Sequence, residues 1–273
     1  MKHISRLASL TLLAPSLWCQ TPAGMSQESK LEALLAQLSG SQFNPGILFQ
    51  IEAQPPDPRT IPALEAAFDK RQAKQEKQWT ALTLLRLGDK DNRYFDYLAG
   101  FVKQAVEDRA PQVLKYDSGG KEIKGQLSAE IQNWCALNHQ DPKHMAALQL
   151  NEYPMDVMTL AMADDRRALD LFLQGLDSPY PLVVGYATEG LGRLGASSAI
   201  RLISQACERL PLDARAAVAM QLPWFTGNSA ADQLLQRLVP DPARRDHFRA
   251  GVQSLRSIEL QRTLAREGQQ RAK

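Results

Sequence analysis

The chain has 273 residues, 32 Lys and Arg against 30 Asp and Glu, 44% apolar residues and three cysteines. That is enough chain for one or two ordinary domains, too apolar for a wholly disordered protein and too poor in cysteine for a disulfide-stapled scaffold. The 16 Gly and 16 Pro exclude a collagen-like or low-complexity composition.

Met1 to Arg6 carry Lys2 and Arg6 with no acid, and an apolar run from Leu7 to Trp18 follows. A basic stretch ahead of a short apolar run is the layout of a secretory signal peptide, and this run is too short to span a bilayer. Residues 1–23 are therefore expected to be a signal peptide, with small residues at Cys19 and Ala23 offering cleavage points. The mature chain is expected to be periplasmic or extracellular, with no stable membrane insertion after cleavage. Lipidation at Cys19 is disfavoured, because Trp18 stands where that processing motif has a small residue. Lys2 and Arg6 leave without an acid, so the mature chain carries 30 basic and 30 acidic residues. A formally neutral chain lacks the basic field of a nucleic-acid binder.

Apolar spacing of three and four residues recurs through the rest of the chain. Leu31, Leu34, Leu35 and Leu38 form one stripe on a short helix, and turn-rich residues follow around Asn44-Pro45-Gly46 and Gln54-Pro55-Pro56. The run Ile47 to Ile51 between them fits a helix or a strand equally. Pro62 stands near the start of a helix carrying Leu64, Ala67 and Phe68, and after the polar Arg71 to Lys77 a second helix carries Trp79, Leu82, Leu85 and Leu87 before Gly88. A short connection favours antiparallel neighbours, so this is a helical hairpin. On the helix 93–107, Tyr94, Tyr97 and Phe101 share one face, while Phe95 and Leu98 point to a neighbouring stripe. Core packing explains Phe95, Leu98 and Phe101, and Tyr94 and Tyr97 could lie at the surface as contacts. A loop insertion at 109–126 precedes a helix starting near Ser128.

The hairpin grammar returns at Asp165-Arg166-Arg167-Ala168-Leu169, through Phe172 and Leu176, then a turn at Ser178-Pro179-Tyr180-Pro181 into Leu182 to Leu194 and Gly195. A shift of about 31 residues sets Ala168 on Ala199, Leu169 on Ile200, Phe172 on Ile203, Leu176 on Cys207, Ala187 on Val218, Leu191 on Leu222 and Leu194 on Phe225. Apolar meets apolar at each position. Leu85-Arg86-Leu87-Gly88 recurs as Gly192-Arg193-Leu194-Gly195. A helix pair repeating at this period marks an α-solenoid, in which stacking of units makes one continuous core. Through these motifs, with Ile61-Pro62-Ala63-Leu64, the chain resembles the HEAT-repeat family, in particular HEAT-like repeat proteins exported by bacteria. The resemblance implies an all-α superhelix of antiparallel helix pairs offering a surface to protein partners. The expected organisation is an N-terminal helix and linker at 24–56, a HEAT-like repeat domain at 57–240, and a basic C-terminal helix and tail at 241–273.

Recognisable chemistry is sparse. There is no G-x-S-x-G, H-E-x-x-H, P-loop or C-x-x-C. Cys135, His139 and His144 are a weak zinc-like grouping, since His144 lies across the Asp141-Pro142 break and no fourth ligand is evident. His247 is the other histidine left after signal removal. Cys135 and Cys207 each sit in an apolar helical stretch, as separate core thiols or as a bridge. Asp164-Asp165, adjacent acids at the start of a helix, read as caps, and Asp89 with Asp91 flank a turn, rather than forming a catalytic carboxylate pair. Arg244 to Lys273 carry an excess of positive charge on an amphipathic pattern, which suits a capping helix, an anionic lipid surface or an acidic partner. No catalytic, cofactor or metal residue is assigned and no binding residue is specified. The expectation is an exported protein-interaction scaffold or adaptor without catalysis; the alternatives are a lyase-like enzyme on the same scaffold or a chaperone or assembly factor for exported proteins.

Overall fold

The computed structural model describes residues 26–40, 43–89, 91–107, 153–210, 212 and 214–271, with side chains described as far as Leu264. The expected signal peptide, the 109–126 insertion, Cys135, His139 and His144 lie outside the described residues. Every regular element among the described residues is helical.

Local chemistry starts the first two helices. Helix α1 (Gln27–Ser39) is capped by the Ser26 hydroxyl, which accepts from the Ser29 N–H, and it buries Leu31, Leu34 and Leu38. Helix α2 (Pro45–Glu52) takes Asn44 as its cap, with Pro45 in the first turn where a missing N–H costs nothing. The run 47–51 is thus helical, and Ile47, Leu48 and Ile51 are its core contacts. Helices α3 (Thr60–Lys70) and α4 (Lys74–Arg86) form the first hairpin. The polar residues Lys74 to Lys77 are the first turn of α4 rather than connection, because Lys, Gln and Glu are good helix formers whatever their polarity. Helix α5 (Asn92–Glu107) follows.

The later part begins with α6 (Tyr153–Ala161); a 3₁₀ turn at Arg166–Ala168 then leads into α7 (Leu169–Gly175). Next come α8 (Pro181–Arg193), a 3₁₀ turn at Ser197–Ala199 and α9 (Ile200–Arg209). The partner of α9 is broken: α10 (Ala216–Ala219) gives way to a 3₁₀ turn at Leu222–Trp224. Pro223 lacks an N–H and its ring crowds the preceding turn, so this segment cannot copy the continuous α8. The buried positions persist nonetheless, with Val218 and Leu222 as enclosed as Ala187 and Leu191. At the other end of the alignment Leu169 is exposed although Ile200 is buried. The chain ends with α11 (Ser229–Leu238) and α12 (Pro242–Arg271).

Two compact units result, one of Met1–Tyr94 with Arg256–Lys273 and one of Phe95–Leu255. The same two devices stop helices in both. Gly88 (φ +85°) and Gly195 (φ +67°) take the left-handed conformation. Each lets the next N–H reach back five residues, Asp89 to the Leu84 carbonyl at 3.0 Å and Ala196 to the Leu191 carbonyl at 2.9 Å. The second device is an arginine placed on C-terminal carbonyls, where the helix dipole favours a cation. Arg71 donates to the Leu38 and Gly40 carbonyls (2.9 and 3.2 Å), and Arg209 to the Leu176 carbonyl (3.0 Å). Arg215 reaches the Leu210 and Glu208 carbonyls, and Arg245 those of Val239 and Pro240.

In the first unit Tyr94 is fully buried and meets the edge of Phe68 at 5.1 Å, which corrects its expected place at the surface. A neighbouring helix covers the face that its spacing left open. Tyr97, in the second unit, is half-buried beside Phe101.

Helix α8 is the packing centre of the second unit, buried on nearly all sides. Its glycines let neighbours approach. A methyl at Gly190 would stand 2.5 Å from the Phe172 ring, one at Gly192 2.6 Å from Trp224 Cβ, and one at Gly185 2.7 Å from the Ala217 carbonyl oxygen. Gly185→Ala is expected to destabilise the protein by about 1–3 kcal/mol, because backbone cannot yield cheaply. Gly100→Ala, on α5 with nothing within 4 Å of the new methyl, is expected to stabilise it by about 0.5–1 kcal/mol. Urea melts of both variants check the contrast, and effects of the same sign would refute it.

Candidate functional site

Polar groups converge at several places among the described residues, and three of these bear on the question of a site. The first lies inside the first unit, around Glu52 at the end of α2. Its carboxylate accepts from the Thr83 hydroxyl at 3.0 Å and lies 3.5 Å from Arg86 Nη1 and 3.6 Å from Arg262 Nη1. The Arg262 guanidinium also sits 4.4 Å over the Phe49 ring, which packs edge-on against Trp79. Burial pushes the Glu52 carboxyl above the usual range, while Arg86, Arg262 and the Thr83 hydroxyl pull the other way. Burial likewise lowers Arg262. Desolvation thus offsets much of the attraction, and this cluster is best understood as an orienting clamp for the end of α12.

The second lies in the second unit around Arg193, whose side chain is 3% exposed. Its Nε donates to Glu189 at 2.8 Å, its Nη1 is 3.5 Å from Asp164, and its guanidinium lies 3.8 Å over the Trp224 ring. Asp164 reaches it from a left-handed backbone conformation, φ 52°. Burial, with the Glu189 carboxylate adding, pushes the Tyr186 hydroxyl up to about 12. Arg86 and Arg193 are the equivalent residues of the two Arg-Leu-Gly segments, and each ends its helix against a buried glutamate. Sequence reading found the repeated segment but assigned no role to its arginine. Both glutamates sit on helices without any local sign of being buried.

The third place is open to solvent. A cavity of about 260 Å³ is lined by Ser204, Cys207, Glu208, Arg215, Arg237 and Leu238. Arg237 donates to the Ser204 hydroxyl at 2.7 Å, while Arg215 is held by the Leu210 and Glu208 carbonyls at 3.1 and 3.3 Å. Neither guanidinium pairs with a carboxylate among the described residues. Cys207 is a buried free thiol; burial raises it to about 11 against the opposing pull of Arg215 and Arg237. It is a core thiol, in agreement with its apolar surroundings in the sequence.

Of the carboxylates singled out in the sequence, Asp164 faces Arg193 and the other three accept from nearby backbone N–H groups. Asp165 accepts from the Arg167 N–H, Asp89 from the Asp91 N–H and Asp91 from the Arg93 N–H. Burial works against it, yet the Arg167 side chain and backbone hold the Asp165 carboxyl below its usual range. His247 is exposed on α12. Among the described residues no group of three metal-ligating side chains gathers, and no helix is long and apolar enough to cross a membrane.

Comparison with protein-family models, with curated proteins and with solved structures found no match. The class that the coordinates establish is an all-α protein of helices packed on their neighbours in the chain.

Two outcomes test the buried groups. Arg262→Met is expected to cost roughly 1–3 kcal/mol, and less in a Glu52→Gln background, where no buried charge needs that cation; urea melts of the four chains give the coupling. The folded Cys207 thiol titrates near 11 rather than at the usual 9.0. Its stabilising share is therefore complete below pH 9.0 and lost as the pH rises to about 11. Cys207→Ala removes that alkaline loss of roughly 2–3 kcal/mol, read as the stability difference between the two chains at each pH.

Proposed function

We propose that this protein is an exported α-solenoid of HEAT-like antiparallel helix pairs that serves as a scaffold or adaptor for a protein partner, without catalysis of its own. The observation that carries the reading is a recurring joint between helix pairs. Arg71 reaches back 33 residues to the Leu38 carbonyl, and Arg209 reaches back 33 residues to the Leu176 carbonyl. Lys70 bonds the Ser39 carbonyl across 31 residues, and Arg209 pairs with Asp177 across 32. In each case the end of one helix holds the end of an equivalent helix about one repeat earlier, as expected of stacked units that complete one another's core.

Export is supported by the basic and apolar composition of residues 1–23. The open cavity among the described residues, about 260 Å³, is of a size to take one side chain of a protein partner.

The test is affinity capture of the chain, tagged at its C-terminus, from the envelope fraction of its own host, with mass spectrometry of what is retained. A stoichiometric protein partner, together with a captured chain lacking residues 1–23, is the expected result. Retention of no protein across several mild conditions overturns the scaffold reading, and a captured chain that keeps Met1 overturns export.

A further inference from the structure

Among the described residues, some arginines of the second unit are neutralised by carboxylates and others are not. Arg193, Arg209 and Arg249 each face a carboxylate, at 2.8, 2.7 and 3.1 Å respectively. Arg215 and Arg237 do not, although both border the same cavity. Arg237 is exposed and, among the described residues, makes one hydrogen bond, to the neutral Ser204 hydroxyl. Arg215 is anchored through Nε and Nη2 to two carbonyls, and its Nη1 makes no hydrogen bond among the described residues.

Among the described residues Glu208 is the one carboxylate on the cavity wall, and it pairs with neither guanidinium. The described lining therefore carries a net positive charge of one. A guanidinium held by neutral partners keeps most of its capacity to donate to a carboxylate. Anchoring matters as well: Arg215 is fixed before any ligand arrives, so little conformational freedom is lost on binding. Leu238 supplies an apolar wall and the buried Cys207 thiol the floor, surfaces that suit the methylenes of an acidic side chain. The volume, about 260 Å³, equals roughly eight or nine waters' share of liquid. That admits a glutamate-sized group.

We infer that the cavity bounded by Arg215, Arg237 and Ser204 is an anchor point for a carboxylate side chain on an acidic segment of a protein partner. The inference rests on the scaffold reading and adds the chemistry of the partner. Arg237 binds the carboxylate and Arg215 completes the site from its fixed position, with Ser204 holding Arg237 over the opening.

The probe is fluorescein-labelled, N-acetylated and C-terminally amidated hexaglutamate, whose only carboxylates are side chains, added to the full chain at low salt and read by fluorescence anisotropy. Wild type is expected to bind it saturably. Arg237→Gln is expected to weaken binding about tenfold, the effect of losing one charge-assisted contact. Arg201→Gln removes the same charge from an exposed position on α9 outside the cavity and is expected to leave binding unchanged. Circular dichroism of both variants confirms that each keeps its helices. No binding by wild type, equal losses in the two variants, or equal binding of hexaglutamine overturns the site. Displacement of the peptide by inorganic phosphate at the same carboxylate-equivalent concentration also overturns it, in favour of a free-anion site. If a stoichiometric partner is captured equally by wild type and Arg237→Gln while hexaglutamate does not bind, this anchor fails and the scaffold stands. Tight hexaglutamate binding with no partner retained leaves the anchor standing and removes the scaffold.

Discussion

The close approach of neighbouring residues to helix α8 is the constraint on which the second unit depends. Gly185, Gly190 and Gly192 leave no room for a side chain against Ala217, Phe172 and Trp224. Glycine in a helix costs about 1 kcal/mol of intrinsic propensity, so three in one helix are tolerable only where close packing offsets the loss. Here the preceding helix α7 and the broken segment 216–224 both press on α8, and the Phe172 ring lies fully buried against it. The helix is central because its surface has been thinned to admit neighbours on two sides.

Charge then sets orientation where apolar packing alone is permissive. Burying Arg193 between Glu189 and the Trp224 ring, and Glu52 between Arg86 and Arg262, brings little net stability, since desolvation consumes most of the attraction. A misplaced helix would nevertheless strand a buried charge, which is far more costly. The two clusters therefore act against wrong registers. The arginines on helix C-termini do related work, satisfying carbonyls that a helix cannot satisfy itself and tying one helix end to another.

Much of the helical framework was legible in the sequence because helices write their buried face at a spacing of three and four. Leu31, Leu34 and Leu38, or Phe172 and Leu176, needed no tertiary information to be placed in a core. The glycine stops at 88 and 195 were legible as well, since left-handed termination needs glycine. The polar site was not. A guanidinium and a carboxylate far apart in sequence carry no periodic signal of their meeting, and neither Arg215 nor Arg237 differs locally from arginines that pair elsewhere. The misjudged Tyr94 has the same origin: its helix face could be read, but the Phe68 side chain that covers it comes from another element.

By itself, then, the sequence determined that the protein is helical, where several helices begin or end, and much of what those helices bury. These properties follow from caps, propensities and spacing within a few residues of one another. Tertiary structure decided that 47–51 closes as a helix against α4, that the partner of α9 breaks at Pro223 while keeping its buried positions, and that Arg86 and Arg193 end their helices on buried glutamates. It also decided which arginines are matched by acids and which are left facing an open cavity. Those outcomes depend on distances between elements, and a one-dimensional pattern contains no such distances.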